Sequence, residues 1–340
     1  MLDYKKTLRS LTSILSVSGC EREAARDVTA EYGKYFDSVT VDAARNIILS
    51  KKSKKKNARK IMLDAHFDQI GMIVTGITDS GMLTVTNIGG IDRVILPACE
   101  VTVCGKEKLF GVIAATPPHL QKKNDTAAPE WEDIRIDIGY TKSEAEKLVP
   151  IGSPVVWHYS GDELMNGRIT GVGFDDKACA AGLICAVVNT PAEKLAYDVF
   201  LTLSAGEEIG AEAANSAAFA IKPDLAVVTD VNFATSPGVD DDESGKSGEG
   251  IMISLSAVTD RALTKKLLAL AKENDIPVST VVESTNTGTN ANSLVYVSEG
   301  IPTAVVSLPL AGMHSYSEML DLKDADNFVK MFGLIITNEL

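Results

Sequence analysis

The run Val199-Phe-Leu-Thr-Leu203 reads as a strand buried on both faces. It breaks at Ser204-Ala-Gly206, and an alanine-rich helical pattern resumes after Gly210. A strand covered on both sides needs helices above and below its sheet, so this passage points the chain to an α/β architecture. Glu207 and Glu208 fall between strand and helix, where an open α/β sheet places its ligand crevice. Adjacent carboxylates repel unless a cation or a proton is shared between them. A solvated turn would explain one such pair, but other strands end in the same chemistry.

Ile61-Met-Leu-Asp-Ala-His66-Phe-Asp68-Gln-Ile-Gly71 is a buried strand ending in His-x-Asp. A strand-end histidine is commonly a hydrogen-bonded structural residue, yet a carboxylate beside it can fix the tautomer of a ligating imidazole. Asp175 and Asp176 precede the helical run Ala178 to Val188, and capping alone would account for one of them. Leu225-Ala-Val-Val-Thr-Asp230 is a further buried strand ending in a carboxylate, and Thr303 to Pro309 is followed by Met313-His314-Ser315. His66, Glu207, Glu208, Asp230 and His314, with Asp175 at a helix start, form a nitrogen and oxygen donor set suited to zinc, cobalt or manganese. These six groups exceed the needs of one tetrahedral zinc. They fit two ions about 3.5–4 Å apart that share a carboxylate. The chain has no G-x-S-x-G, no Walker A pattern and no H-E-x-x-H.

Before the first strand-end histidine, helical spacing links Leu8, Leu11, Ile14 and Leu15, and Glu21 to Tyr35 is a second helical stretch. Val39 to Leu49 reads as two short strands, and the basic run Lys51 to Lys60 as a solvated turn. From Ile73 to about Asp162 the texture changes to short strands separated by Gly and Pro, with one helical segment at Lys142 to Leu148 and a polar loop at Gln121 to Glu130. This is the pattern of a small β-rich domain inserted into the sheet. Pro117-Pro-His119 is read as a turn. Sheet texture returns at Gly167, Ser236 to Gly250 reads as an exposed loop, and helices are expected at Arg261 to Asn274 and Asp324 to Thr337.

With 340 residues the chain is long enough for two domains, and 45% apolar with 23% charged residues is ordinary for a soluble globular protein. A net charge of −13 argues against nucleic acid as a partner. No apolar run reaches the length of a membrane span, and the N-terminus lacks a signal-peptide core. Five scattered cysteines suggest reduced thiols in a cytoplasmic protein.

The sequence resembles the M42 family of dinuclear metallo-aminopeptidases along essentially its whole length. The resemblance rests on His66-Phe-Asp68-Gln-Ile-Gly71, Asn87-Ile-Gly-Gly-Ile-Asp92, Gly111-Val-Ile with Pro117-Pro-His119, and Gly173-Phe-Asp-Asp-Lys177. It continues in Glu207-Glu-Ile-Gly210, Asp230, and Met313-His-Ser315 with Glu318. It implies an open mixed sheet flanked by helices, of zinc-peptidase type, formed by residues 1–68 and 169–340. It also implies a β-rich dimerisation domain of barrel or PDZ-like shape at 69–168, and assemblies from a dimer up to a dodecamer.

Two divalent ions per chain are implied: one on His66, Asp175 and Asp230, the other on Asp175, Glu208 and His314, with Asp175 bridging. Glu207 matches the general base and Asp68 the supporting partner of His66, while Asp176 joins the bridging ligand through a peptide that is strained in related enzymes. The chain departs from the family pattern at Gln69 (commonly Glu), Lys177 (commonly Arg), Asn290 (commonly Asp) and Ala311-Gly312 (often Arg-Tyr). The last two departures are expected to bear on the substrate pocket.

Short peptides losing single N-terminal residues are the expected substrates. Neutral or hydrophobic P1 groups are favoured over Glu or Asp, because an acidic side chain needs a basic pocket. Lys177 is expected to pair with the carboxylate cluster rather than to read substrate. Two alternatives remain at this stage: another dinuclear hydrolase on the same scaffold (deacylase, dipeptidase or glycan-active enzyme), and a catalytically silent metal-binding assembly protein.

Overall fold

The computed structural model describes residues 1–117, 128–240 and 243–340. His119, most of the polar loop after it, Asp241 and Asp242 lie outside the described residues. Helices α1 (Tyr4–Ser13) and α2 (Glu21–Tyr32) precede the hairpin of β1 (Ser38–Val41) and β2 (Ile47–Lys51), and β3 (Arg59–His66) follows. Strands β4 (Gly71–Ile77), β5 (Leu83–Ile88), β6 (Glu100–Cys104), β7 (Lys108–Ile113), β8 (Arg135–Asp137) and β9 (Pro154–Trp157) close a barrel, with α3 (Lys142–Leu148) between the last two. The chain continues through β10 (Arg168–Gly171), α4 (Phe174–Asn189), β11 (Tyr197–Ser204), α5 (Ala213–Ile221), β12 (Leu225–Phe233) and β13 (Ile251–Ser256). It ends with α6 (Arg261–Glu273), β14 (Val278–Glu283), α7 (Ala291–Leu294), β15 (Thr303–Leu310), β16 (Glu318–Asp321) and α8 (Leu322–Thr337).

The large sheet is mixed, in the order β1-β2-β11-β3-β12-β15-β13-β14. Its central strands β11, β3, β12 and β15 are parallel, so their C-terminal ends meet at one edge. The register sets Ser204 opposite His66 and Val228 opposite Asp64, which brings Asp230 level with His66. Alternation along β3 turns Leu63 and Ala65 into the core under α1, α4 and α8, and Met62 into the core under α5 and α7. The barrel has its own core, including Met72, Val85, Val101, Ile136 and Trp157.

Helix α4 is apolar on every side from Ala178 to Val187 because it is packed between the sheet, α1 and α8. Gly182 permits the closest of these approaches, since a Cβ there would lie 2.5 Å from the Phe328 ring. The C-terminal carbonyls of α4 are capped by Lys51, whose Nζ donates to Val187 O at 2.8 Å and Thr190 O at 2.7 Å. Lys60, at the far end of the basic run, donates to Ile221 O at the end of α5. The run between them is an exposed turn, as its composition suggests.

Several local expectations change. Residues 168–171 leave the large sheet and pair instead with β16 as a separate two-stranded ladder. Strands β13 and β14, unread in the sequence, extend the sheet on one side. The end of the acidic loop is anchored, because Asp324 accepts hydrogen bonds from Gly248 N and Gly250 N. All five cysteines are free thiols. Among the described residues no helix is long and apolar enough to cross a membrane.

Candidate metal centre

At the C-terminal edge of the parallel strands the structure brings together His66, Asp175, Glu207, Glu208, Asp230 and His314. Ligand-capable atoms of His66, Glu207 and Asp230 lie within 4.8 Å of one another, as do those of His66, Asp175 and Glu208. His66 Nδ1 is 2.9 Å from the carbonyl oxygen of Asp68, which can only accept, so Nδ1 carries the proton. Nε2 is thereby turned toward the acids, 2.9 Å from Asp175 Oδ1 and 3.5 Å from Asp230 Oδ1. On the other side His314 Nε2 lies 3.2 Å from Asp175 Oδ2 and 3.3 Å from Glu208 Oε2. Asp175 therefore offers one oxygen to each imidazole.

Each residue arrives by a distinct route. β3 and β12 end at or near His66 and Asp230, while Glu207 and Glu208 form a short 3-10 turn after β11. Asp175 and Asp176 open α4 in non-helical conformations and are joined by a cis peptide bond. His314 comes from the loop between β15 and β16 and holds φ at 59°, a region that histidine enters more readily than most residues. Gly89 and Gly90 of the barrel press against this half of the centre. A Cβ at Gly90 would stand 3.2 Å from His314 Nδ1, and one at Gly89 3.4 Å from Glu208 Cβ.

Asp68 supports the centre in a way the sequence did not suggest. Its carbonyl, not its carboxylate, makes the short contact to His66, whose Nδ1 is 3.6 Å from Asp68 Oδ1. The carboxylate accepts from Ser18 Oγ at 2.6 Å, Glu207 N at 3.1 Å and Glu208 N at 3.3 Å, tying the glutamate turn to β3. Nothing in the sequence around Ser18 marks it as a partner. The adjacent glycines at 89 and 90 were a visible sign of close approach.

The charge balance is that of a cation site. Burial, reinforced by Asp230, Glu208 and Asp175 and opposed by His66, pushes Glu207 up to about 8. Burial likewise raises Asp230 to about 7 and raises Glu208. Asp175 is the exception: burial works against it, but hydrogen bonds from His314 and His66 hold it well below the usual carboxylate range. Donation from its ring to Asp175, and then to Glu208, pushes His314 up to about 11 despite burial. In His66 burial favours the neutral ring, yet the Asp230 charge and the neighbouring carboxylates win and raise it. Among the described residues Glu208 Oε1 is buried without a hydrogen-bond partner, and the buried Asp176 carboxyl meets only the Cys179 thiol. A cluster that draws protons onto both imidazoles and still leaves an acceptor unpaired fits divalent cations.

Two of the sequence departures lie away from open space. Asn290 is buried, and its Nδ2 donates to Asp64 Oδ2 and Ser204 Oγ, both at 2.8 Å, so it does not line a substrate pocket. Lys177 is fully buried and donates to Ile14 O and Gln69 Oε1 rather than to the carboxylate ligands. Burial lowers its ammonium to about 7 against the pull of Glu318 and Asp68.

Known proteins match this chain over most of its length. A profile described as M42 glutamyl aminopeptidase matches residues 45–331. A lysyl aminopeptidase of Pyrococcus furiosus is 30% identical over 97% of this chain and 96% of its own length. The solved structure of an aminopeptidase from Desulfurococcus kamchatkensis superposes with a TM-score of 0.91 at 29% identity, covering 99% of this chain and 95% of that one. The TET1 peptidase of Pyrococcus horikoshii, described as assembling into a tetrahedron or a large octahedral shell, gives 0.87 at 30% identity over 99% of this chain and 100% of its own. With the family profile spanning most of the sequence and the fold matching throughout, this chain belongs to the M42 family of aminopeptidases and is a hydrolase.

Proposed function

We propose that the chain is an exopeptidase that removes single N-terminal residues from short peptides at a centre of two divalent ions. Zinc and cobalt suit its nitrogen and oxygen donors best, and manganese is also compatible. The observation that carries this reading is Asp175, whose Oδ1 lies 2.9 Å from His66 Nε2 and whose Oδ2 lies 3.2 Å from His314 Nε2. A carboxylate shared in this way between two imidazoles is placed as a bridging ligand would be. His66, Asp175 and Asp230 would hold one ion, and Asp175, Glu208 and His314 the other. Bound there, the ions would lend Lewis acidity to the scissile carbonyl and to the attacking water.

Glu207 is the remaining carboxylate and acts as general base. It takes the proton of the attacking water and returns it to the leaving amine. Asp68 serves by holding the Glu207 turn against β3. Because Glu207 also lies within reach of His66 and Asp230, its role as base rather than ligand is the point to test. Glu207→Gln is expected to keep two ions per chain by elemental analysis while losing at least about 10²-fold in turnover. Loss of an ion, or near-normal turnover, would show that the roles are misassigned.

For substrate choice, Lys177 is buried away from the crevice, which removes the basic group nearest the bridging aspartate as a reader of acidic side chains. Ala311 and Gly312 precede His314 with no basic side chain. Neutral or hydrophobic P1 residues are therefore expected over Glu or Asp. In a comparison of kcat/KM for leucyl, alanyl, lysyl and glutamyl anilides, a glutamyl preference above about tenfold, or about 1.4 kcal/mol, overturns this.

Residues 1–68 and 169–340 are read as the catalytic unit and 69–168 as an insert supplying a dimer contact. Likeness to TET1 peptidase structures, one of them described as a dodecamer, extends this to larger assemblies such as a dodecamer. A monomer by light scattering at micromolar concentration would refute that reading.

A further inference from the structure

The geometry points to Glu318 as a positioning residue that sets the distance between the bridging aspartate and His314, an inference that rests on the two-ion reading above. Glu318 opens β16 opposite Gly171 of β10, and its side chain is buried. Its Oε2 accepts from Phe174 N at 2.6 Å and from Asp175 N at 3.4 Å. Its Oε1 accepts from His314 N at 3.2 Å. One carboxylate thus spans the backbone of the two segments whose side chains meet at Asp175 Oδ2 and His314 Nε2.

The need for such a clamp follows from how the two segments are built. Asp175 lies in a non-helical opening to α4, and His314 sits in a loop with a left-handed backbone, so neither is fixed by sheet register. The left-handed backbone at His314 persists where surrounding groups over-determine it. Only a side chain with acceptors at both ends of a rigid plane can receive N–H groups from both segments at once. A glutamine has the same reach but turns one end into a donor facing an N–H, and an aspartate is one methylene short. Asp68 holds the glutamate turn by the same device, so the centre rests on two buried carboxylates that bind backbone rather than metal. Supporting partners of this kind are commonly worth 10–100-fold in metal affinity.

The test uses the full-length assembled protein stripped of metal and titrated with Co²⁺, followed by calorimetry and visible absorption, for wild type, Glu318→Gln and Glu318→Ala. For Glu318→Gln the first equivalent should bind within about threefold of wild type and the second about 10–100-fold more weakly, with an altered visible band for that second ion. At saturating Co²⁺, kcat should fall while KM stays within about twofold. Two wild-type-like equivalents with an unchanged spectrum overturn the clamp. So does equal weakening of both ions with a lower melting temperature of the stripped protein, which marks a general scaffold residue. If Glu318→Ala fails to fold, the isosteric glutamine variant decides. Wild type that takes up fewer than two ions overturns the two-ion reading and the clamp with it. If wild type takes up two, any change in the variants is traced to Glu318 alone.

Discussion

His66 and His314 approach the same carboxylate from opposite sides and are held there by different means. His66 ends a strand between two parallel neighbours, its side chain is 2% exposed, and a carbonyl two residues along its own chain fixes the ring. His314 rides on a loop with its side chain 35% exposed, and it is held by Glu318 below and the barrel glycines beside it. In one half of the centre the hydrogen-bond register of the sheet does the positioning. In the other, side chains clamp loops that the sheet does not control. The comparison teaches that two imidazoles paired with one carboxylate are carried by supports of unequal rigidity, so the two halves should fail differently.

The largest effect should come from truncating the sheet-held half. His66→Ala leaves Asp230 buried without an imidazole partner and Asp175 with His314 alone, a loss on the order of 3–5 kcal/mol in the metal-stripped protein. Ion uptake should fall by more than about 10²-fold, beyond what a supporting residue costs. His314→Ala should weaken one ion and cost less than about 1 kcal/mol, because its ion pairs are partly solvated. Chemical denaturation of both stripped variants, with metal titrations alongside, measures the contrast. Equal stability losses would break the comparison.

A second effect concerns protons. Without cations, His66 and His314 are raised so that both rings are protonated at neutral pH, and Glu207 and Asp230 titrate near neutrality at about 8 and about 7. Cations must displace these protons, so affinity should rise with pH, by roughly tenfold per unit for each proton released. Calorimetry at pH 6 and pH 8, in buffers of different ionisation heat, counts the protons. Affinity that is flat across that range would mean that the rings are neutral before the ions arrive. His314→Ala should reduce the proton count, which ties this measurement to the comparison between the halves.

The sheet-held half was legible in the sequence and the loop-held half only partly so. His66, Glu207 and Asp230 each follow or end an apolar run, as does Glu208 on the His314 side, and a run of that kind is read from its neighbours alone. The barrel was legible as a change of texture, although its closure was not, because closure depends on β4 meeting β9 across the whole insert. Glu318 was visible as part of a matching motif without a role, since its role exists only once β16 pairs with β10 far back along the chain. Lys51 and Lys60 show the same limit: they belong to a run that reads as solvent-facing, yet each caps a helix that ends far along the chain. What escapes a linear reading here is polar contact between distant segments, for which periodicity gives no signal.

The smallest effect on the metal centre and on substrate choice is expected at Asn290, which lies behind the sheet-held half rather than in the crevice. Its amide donates to Asp64, whose carboxyl burial pushes up to about 6 even with that bond and Ser204 holding it down. Asn290→Ala removes a donor that favours the ionised form, so the folded protein should lose about 1–3 kcal/mol where Asp64 is charged. The loss should be larger at pH 8 than at pH 5. Above about 6 the native carboxylate misses its donor, whereas below that value Asp64 carries a proton with or without Asn290. Because Asn290 is only 2% exposed, the ranking of aminoacyl anilides should be unchanged by the substitution. Denaturation at the two pH values and the anilide panel test these statements separately. A changed P1 ranking with stability intact would return Asn290 to the pocket and make the sheet-held half part of substrate selection.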